Sequence, residues 1–276
     1  MATHPIHPRQ IDFRFDESTP TWWFDQDVFK TLLLTALSCS FPEGERFFVR
    51  AVRQFQDRIT DPVLRKQVRA FIGQEAHHGN EHQELNAFMA SRGLPTAQVE
   101  NRVKEGLAVE ARILSPERQL AMTCALEHFT AMFAEVLLKN PRFFEGMDRG
   151  VLALWLWHAV EESEHKAVAF DVYQQTVGSH WIRTSQMAIT TLTFAFFTGL
   201  HFATLYRSGD YGLGVRGLAK GLGYFFGPKG WLNRIGPRYL AYYRRDFHPD
   251  RSDSSEARED ALRWLAGQLG RPELAA

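Results

Sequence analysis

The sequence predicts an all-α protein. Apolar residues recur at steps of three and four along most of the 276 residues, which is the spacing of one face of a helix. Alternation of apolar and polar residues between turn signals, as in β-strands, is rare. The longest helical segments also carry clear start and stop signals, and these signals define the elements in order.

The first two main helices form a pair. An apolar run is interrupted at Pro42, where a new helix can begin because proline is tolerated in a first turn. This helix is predicted to continue through "EGERFFVRAVRQFQDRI". Asp61 and Pro62 open a longer helix, which ends at about Ser91, ahead of a glycine and a proline.

A second pair follows a long connection. Residues 98–112 predict a shorter connecting helix. Ser115 and Pro116 have the residue types of an N-cap and a first helical position, so a helix is predicted from there to about Lys139. The next is predicted over residues 148–177. Two helix pairs joined by one long crossover are the layout of ferritin-like four-helix bundles.

The chain after residue 178 has a different composition. Residues 187–206 contain no Asp, Glu, Lys or Arg, and this length could span a bilayer. Their threonines, with Gly199 and His201, favour equally a buried helix that covers the bundle. Residues 177–249 carry nine Lys and Arg against two Asp, interleaved with aromatic residues. This mixture fits a membrane surface, an acidic partner, or a packed subdomain with a basic exterior.

These boundaries predict four parts of the chain. They are an N-terminal arm (1–26), a helical bundle (27–178), an apolar and basic extension that covers the bundle or a membrane surface (179–249), and a C-terminal amphipathic helix (250–276). His4 and His7 lie in the arm, where a flexible segment would not preorganise a site.

Charge and cysteine content limit the function classes. Lys plus Arg equals Asp plus Glu at 32 each, so global charge does not indicate nucleic acid, and none is expected as a partner. Cys39 and Cys124 can form neither a disulfide framework nor a zinc-type cysteine cluster, which favours a reducing cytoplasm. The N-terminus lacks the apolar run of a signal peptide. A cytoplasmic location is therefore expected, with membrane association as the alternative.

The stretch "HAVEESEHK" is the most informative in the chain. Its residues His158, Glu162 and His165 are spaced i, i+4 and i+7, so they share one face of a helix. Apolar residues extend the same face, which predicts that it points into the core. A buried glutamate beside two buried histidines is costly unless a cation compensates the charge, and a metal ion does so directly. Glu161 and Glu164 fall to either side, either in solvent or next to the ligands.

A second Glu-x-x-His motif supplies a partner. Glu75 and His78 share a face with apolar residues, and His82 follows His78 by four residues, as a candidate neighbour of the ligands. The preceding helix offers Glu45, on its apolar side. Glu43 is the alternative, but it aligns with a more polar face.

The third main helix completes the pattern with Glu127, which aligns with apolar residues. His128, one step round that helix, is either next to the ligands or merely packed. Asp171 either orients a ligand histidine or lies on the surface. Two helix pairs that each give one Glu and one Glu-x-x-His make a dinuclear carboxylate site. It would hold two divalent ions, with iron favoured and manganese or zinc as alternatives. The predicted ligands are Glu45, Glu75, His78, Glu127, His158, Glu162 and His165.

Several motifs carry a resemblance to known families. "FPEGERFF", "EAHHGNEH", "LEHFTA", "HAVEESEHKAVAFDVY" and "RYLAYYRRDFHPD" resemble the bacterial family labelled predicted metal-dependent hydrolases, over nearly the whole chain. "FHPDR" departs from that family's "FHPWD"-like ending but removes no metal ligand. The His-x-x-x-Glu-x-x-His pattern is also similar to that of the di-iron arylamine N-oxygenases. That resemblance implies an additional nitrogen ligand from His158; a hydrogen bond to Glu162 is the alternative.

Three functions follow as hypotheses. The first is a di-iron, O₂-activating oxidoreductase that hydroxylates, desaturates or N-oxygenates an apolar or amphipathic small molecule. The alternative, implied by the family label, is a dinuclear hydrolase that uses a metal-activated water. The third is a ferritin-like iron-binding protein. The expected partners are the small-molecule substrate, an electron donor if the reaction is an oxygenation, a membrane surface as one alternative, and a second copy of the chain as another.

Overall fold

The computed structural model describes residues 6–275, apart from the side chains of residues 231 and 232. His4, in the predicted arm, lies outside the described residues. Within them the fold is all-α with no strand, as predicted, and Phe24 and Met147 form an isolated antiparallel bridge. The helices are α1 (Val28–Ser38), α2 (Phe41–Arg53), α3 (Pro62–Ser91), α4 (Thr96–Ile113), α5 (Pro116–Lys139), α6 (Arg149–His165), α7 (Val168–Thr176), α8 (His180–Tyr206), α9 (Val215–Phe226), α10 (Trp231–Ala241) and α11 (Ser255–Leu269).

The long helices begin where the sequence signals them. Asp61 caps α3 by accepting a hydrogen bond from the backbone N–H of Val63 at 2.8 Å, and Ser115 caps α5. Asp148 accepts from the first two N–H groups of α6 that follow Arg149. Such caps satisfy amide groups that have no partner inside the helix, so they fix the start of each helix and thereby the direction of its side chains.

Two predicted helices were too long. The helix predicted over 148–177 is two helices, α6 and α7, separated by a turn at residues 166–167. Its apolar periodicity did not reveal the break because both pieces bury residues in the core. The helix predicted from Pro42 to the region of Ile59 ends at Arg53, and a short 3₁₀ turn follows.

Four helices form the centre of the molecule. α2 packs against α3 and α5, and α6 packs against α3 and α5. One apolar cluster fills one end, with residues such as Met89 and Leu154. The other end holds a second cluster, with Phe48, Phe71 and Val172. The polar residues of the predicted site lie on these helices between the two clusters, so the apolar ends exclude water from both sides.

The N-terminal segment packs onto this centre. Ile11 and Phe13 are buried, and the ring centroid of Phe13 lies 5.5 Å from that of Trp157 on α6. Burial of these two side chains fixes the segment, and with it the position of Arg9 next to the polar residues of α6.

α8 covers one side of the bundle by packing on α1, α4 and α5. By length and composition, α5 and α8 are the two described helices that could cross a membrane. α5 is mostly buried inside the protein, as expected for a core helix, whereas only 17 % of the apolar window of α8 is buried. α8 therefore covers the bundle with one side only.

Candidate metal centre

The structure brings all seven predicted ligands together. They are buried, each with at most 4 % of its surface exposed. α2 contributes one glutamate, α3 a Glu-x-x-His pair, α5 one glutamate, and α6 the His-x-x-x-Glu-x-x-His row. Helical spacing places each residue on the inner side of its helix, and packing of the four helices brings the residues together: Glu45, Glu75, His78, Glu127, His158, Glu162 and His165.

Glu162 lies at the centre of the cluster. Its Oε1 is 3.1 Å from Nε2 of His158 and 3.3 Å from Nε2 of His165. The same oxygen is 3.6 Å from Nδ1 of His78. One carboxylate thus faces three imidazoles from two helices.

The donor atoms fall into three overlapping groups. In each group one atom per residue lies within 4.8 Å of the others. The groups are Glu45–His78–His158, Glu75–His78–Glu162 and Glu75–Glu127–His165. Because His78 and Glu75 each belong to two groups, the arrangement is one continuous cluster.

The chemistry of the donor atoms fits metal ions. Among the described residues, eighteen buried side-chain atoms have no hydrogen-bond partner, and eleven of them belong to this cluster or to Glu161. A buried polar atom without a partner costs roughly 1–3 kcal/mol. Burial, with repulsion from neighbouring glutamates, raises the pKa of Glu45, Glu75 and Glu127 well above its usual value. Divalent cations would remove both costs.

Hydrogen bonds fix the tautomer of His165. Its Nδ1 lies 2.9 Å from the amide oxygen of Gln74, which can only accept, so Nδ1 carries the proton. In the neutral imidazole Nε2 then holds the lone pair, and this nitrogen faces Glu75 at 3.1 Å and Glu127 at 3.5 Å. A lone pair directed at carboxylate oxygens is repulsive unless a cation lies between them.

A chain of hydrogen bonds fixes His158 in the same way. The hydroxyl of Ser38 donates to Oδ1 of Asn86 at 2.7 Å, so it accepts from Nδ1 of His82 at 2.9 Å. His82 then presents the lone pair of Nε2 to Nδ1–H of His158 at 2.7 Å. Nε2 of His158 lies within hydrogen-bond distance of Oε1 of Glu162, at 3.1 Å. The sequence predicts either a ligand role for His158 or a hydrogen bond from it to Glu162, and both would use Nε2.

His78 is oriented by a carboxylate. Its Nε2 lies 3.2 Å from Oε2 of Glu161, so its Nδ1 faces the cluster. The backbone N–H of Arg9 donates to the other oxygen of Glu161 at 2.8 Å. Burial raises the pKa of Glu161 to about 8, although Arg9 opposes the shift. Glu164, on the other side of the row, is paired with Arg9 at 2.7 Å and accepts from Gln74 at 3.0 Å.

Sequence reasoning missed Arg9 and Gln74. Gln74 had a readable signal, since it lies four residues before His78 on the same face of α3. Arg9 had none, because its position depends on how the N-terminal segment packs.

Two of the predicted neighbours have other partners. Nε2 of His128 lies 3.2 Å from the carbonyl oxygen of Arg238, so His128 is packed beneath the C-terminal region. Asp171 accepts a hydrogen bond from His248 at 2.9 Å, in place of a ligand histidine. His128 and Asp171 have these partners because the chain after residue 230 folds back over α5 and α7. Glu43 pairs with Arg46 outside the cluster.

A cavity of about 170 Å³ reaches the cluster from one side. Glu45, His158 and Glu162 line its inner end. Its walls are mainly Leu, Phe and Met side chains from α1, α4, α5 and α8. His201, buried and without a hydrogen-bond partner for either ring nitrogen, lines it as well. An apolar molecule with a small polar group would fit this surface.

His82 should affect the metal affinity of the site by orienting His158, without being a ligand itself. Replacing it by Phe removes the acceptor of His158 Nδ1–H, so the His158 ring loses its fixed tautomer. We expect the affinity for one of two metal ions to fall by roughly 10–100-fold, the usual cost of losing such a partner. Competition with a chelator of known affinity would measure this.

The matched comparison is His82→Gln, which can still accept from His158 and should recover most of the affinity. His77→Phe, on the half-exposed side of α3, should leave both affinities unchanged. Equal losses in His82→Phe and His77→Phe would contradict an orienting role for His82.

A family model described as "Predicted metal-dependent hydrolase" matches residues 7–253 of the chain. No curated protein and no solved structure matches this chain. The matched residues include the whole of the buried cluster and Arg9.

Proposed function

The chain belongs to the family of predicted metal-dependent hydrolases, and on that premise we propose that it is a two-metal enzyme that hydrolyses an apolar or amphipathic small molecule. The observation that carries the proposal is the buried seven-residue cluster: ten of its side-chain atoms have no hydrogen-bond partner, and three of its residues line an apolar cavity. A protein that only stored or carried ions would have no use for the cavity.

The proposed ions are divalent and held by the seven residues of the cluster. When bound, they would lower the pKa of a water molecule and polarise the bond to be cleaved. Glu162 lies at the centre of the cluster, and Nε2 of His158 and Nε2 of His165 both face it. Arg9 and Glu161 keep His78 in place from the other side.

We also propose that the four central helices are a ferritin-like bundle. The helix order supports this, because α2 and α3 supply one Glu and one Glu-x-x-His, and α5 and α6 supply the same set after the long crossover through α4. Side chains from facing helices meet inside such a bundle, where the backbone of each helix is rigid and holds the donors in place.

The cavity indicates the substrate class. Its walls would bury an apolar chain or ring, and their apolar surface would favour such a molecule by the hydrophobic effect. His201 offers a buried polar side chain of the wall whose ring nitrogens have no hydrogen-bond partner. The proposed substrate is therefore an ester or amide with an apolar body, whose reacting group reaches Glu45, His158 and Glu162.

Oxygen-dependent oxidation by two iron ions is the second candidate. The donor set supports it, since carboxylates and imidazoles without thiolate suit iron as well as other divalent ions. Two ferrous ions would supply electrons for O₂ reduction, and an external donor would then be required.

One experiment separates the two candidates. The chelated protein is reloaded with Zn²⁺, Mn²⁺ or Fe²⁺ under argon and assayed with p-nitrophenyl esters of increasing acyl length. Hydrolysis without O₂ supports the proposal. Failure to cleave any ester with any metal, combined with stoichiometric O₂ uptake by the ferrous protein, would replace hydrolysis by oxidation.

Filling the cavity should change the substrate range. Gly106 lines the cavity, and a Cβ added there meets no atom within 4 Å. Gly106→Phe should therefore fit the fold while occupying space that a long acyl chain needs. We expect kcat/KM to fall at least about tenfold for long esters, on the order of the loss of one or two buried methylene contacts, and to change little for acetate esters.

Gly267 on α11 provides the control, since its added Cβ also meets no atom within 4 Å and it does not line the cavity. Gly267→Phe should leave the chain-length preference unchanged. If both variants lose activity equally for short and long esters, the cavity is not the substrate site.

A further inference from the structure

The outer side of α8 is an apolar face without a partner in the described chain. The inner side buries Met187, Thr190 and Leu205 against the bundle. The opposite side exposes large apolar side chains at helical spacing: Trp181, Ile189, Leu192, Phe196, Phe197 and Leu200. Soluble proteins rarely leave a contiguous apolar surface of this extent in water.

α9 extends this surface. Both helices pack over α1, where the ring centroid of Phe29 lies 4.8 Å from Phe202 of α8 and 6.1 Å from Phe225 of α9. Because the two helices bury one side on the same element, their other sides face outward together. On α9 this side exposes Val215, Leu222 and Phe226. We call the exposed apolar residues of α8 and α9 the α8–α9 face.

Positive charge accompanies the face. Five cations that follow or lie within these helices are exposed: Arg207, Arg216, Lys220, Lys229 and Arg234. Between residues 179 and 234 the only acidic residue is Asp210. Apolar residues flanked by Lys and Arg have the composition of helices that lie in the interface of an anionic membrane.

We propose that the α8–α9 face docks onto the surface of an anionic lipid bilayer, with α8 parallel to the membrane plane. The positive charge of the face favours an anionic bilayer over a second copy of the chain as its partner. A symmetric dimer through this face would place the five cations opposite one another, whereas anionic headgroups are complementary to them. α8 does not span the bilayer, because Arg183 and Gln186 on its inner side are buried against protein.

The docked face adjoins the cavity. Phe197 is exposed on α8 and also lines the cavity wall, next to Phe194 and Thr198. An apolar molecule leaving the bilayer would therefore enter the cavity without crossing water. This route rests on the proposed function, but the docking itself does not.

Vesicle flotation of the full-length, metal-loaded protein tests the docking. We expect the protein to float with vesicles of phosphatidylserine and phosphatidylcholine, and at least about tenfold less with phosphatidylcholine alone. Leu192→Glu and Phe196→Glu place a charge on side chains that are 74 % and 66 % exposed, so the fold should be kept while binding falls roughly tenfold or more. Lys220→Glu should weaken binding in low salt only.

Val63→Glu is the matched control, because Val63 is a 54 % exposed apolar residue at the start of α3. It should float like the unchanged protein. Absence of flotation, or equal flotation of the Leu192, Phe196 and Val63 variants, would overturn the proposal. A lipid-independent dimer that Leu192→Glu dissociates would assign the face to a second copy, and resistance to carbonate extraction would assign α8 to the bilayer interior.

Discussion

Replacing Glu162 by Gln is expected to reduce the metal content from two ions per chain to one or none. Turnover should fall on the order of a thousandfold or more, because even the loss of a partner behind a ligand typically costs 10–100-fold. The reason is the shared position of this carboxylate, whose Oε1 faces His158, His165 and His78 within 3.6 Å. An amide keeps the size of the side chain but removes the charge that would hold the ions.

Metal analysis by mass spectrometry, on protein reloaded in defined metal buffers, measures the stoichiometry. Glu43→Gln is the control, because Glu43 lies two residues from Glu45 but pairs with Arg46 outside the cluster. It should retain both ions and full turnover. Retention of two ions by Glu162→Gln would refute the central place of Glu162 in the site.

Removing the metals is expected to lower the melting temperature by roughly 15–30 °C. An ion present at about a thousand times its dissociation constant stabilises the folded state by about 4 kcal/mol, and the proposed site holds two. For a chain of this size each kcal/mol corresponds to about 2–4 °C. Calorimetry before and after chelation checks this, and readdition of metal should restore the original transition.

Glu75→Gln should change the melting temperature in opposite directions in the metal-loaded and the metal-free protein. With metal, the variant loses a ligand and should melt below the unchanged protein. Without metal, it should melt above it, because burial and the neighbouring Glu127 and Glu162 raise the pKa of the Glu75 carboxyl. A buried charge without compensation destabilises the fold, and an amide cannot ionise.

The pH dependence of that difference has a definite sign. A folded-state pKa above the unfolded value gives stability that is present below the unfolded pKa of about 4.3 and is lost as pH rises towards the folded value. The advantage of chelated Glu75→Gln should therefore grow as the pH rises above about 4.3. A variant less stable than the unchanged protein in both states would show that the cluster is held by internal hydrogen bonds and needs no metal.

The seven residues of the cluster were predictable because helices make their geometry local. Spacing of three and four puts His158, Glu162 and His165 on one face whatever the rest of the chain does, and the apolar residues of that face show that it points inward. Capping residues such as Asp61 and Ser115 likewise act within one turn. Rules that act within a few residues were therefore sufficient to predict both the cluster residues and the helix starts.

The neighbours of the ligands depended on contacts between distant segments. His128 lies on a helix that carries a ligand, and Asp171 lies on the helix that follows α6. Arg238 and His248, over seventy residues away, nevertheless determine their hydrogen bonds. The break between α6 and α7 was also hidden, since periodicity describes which side is buried and continues through a two-residue turn.

The sequence by itself determined the all-α class, the direction of each buried polar row and the residue types available to a metal. Those properties follow from backbone geometry over three to seven residues. Only the tertiary structure decided which nitrogen of each histidine faces the cluster, that Arg9 lies behind Glu161, and that α8 has one side in the cavity wall and the other exposed. These depend on packing between segments, where burial and hydrogen-bond partners come from residues far apart in the chain.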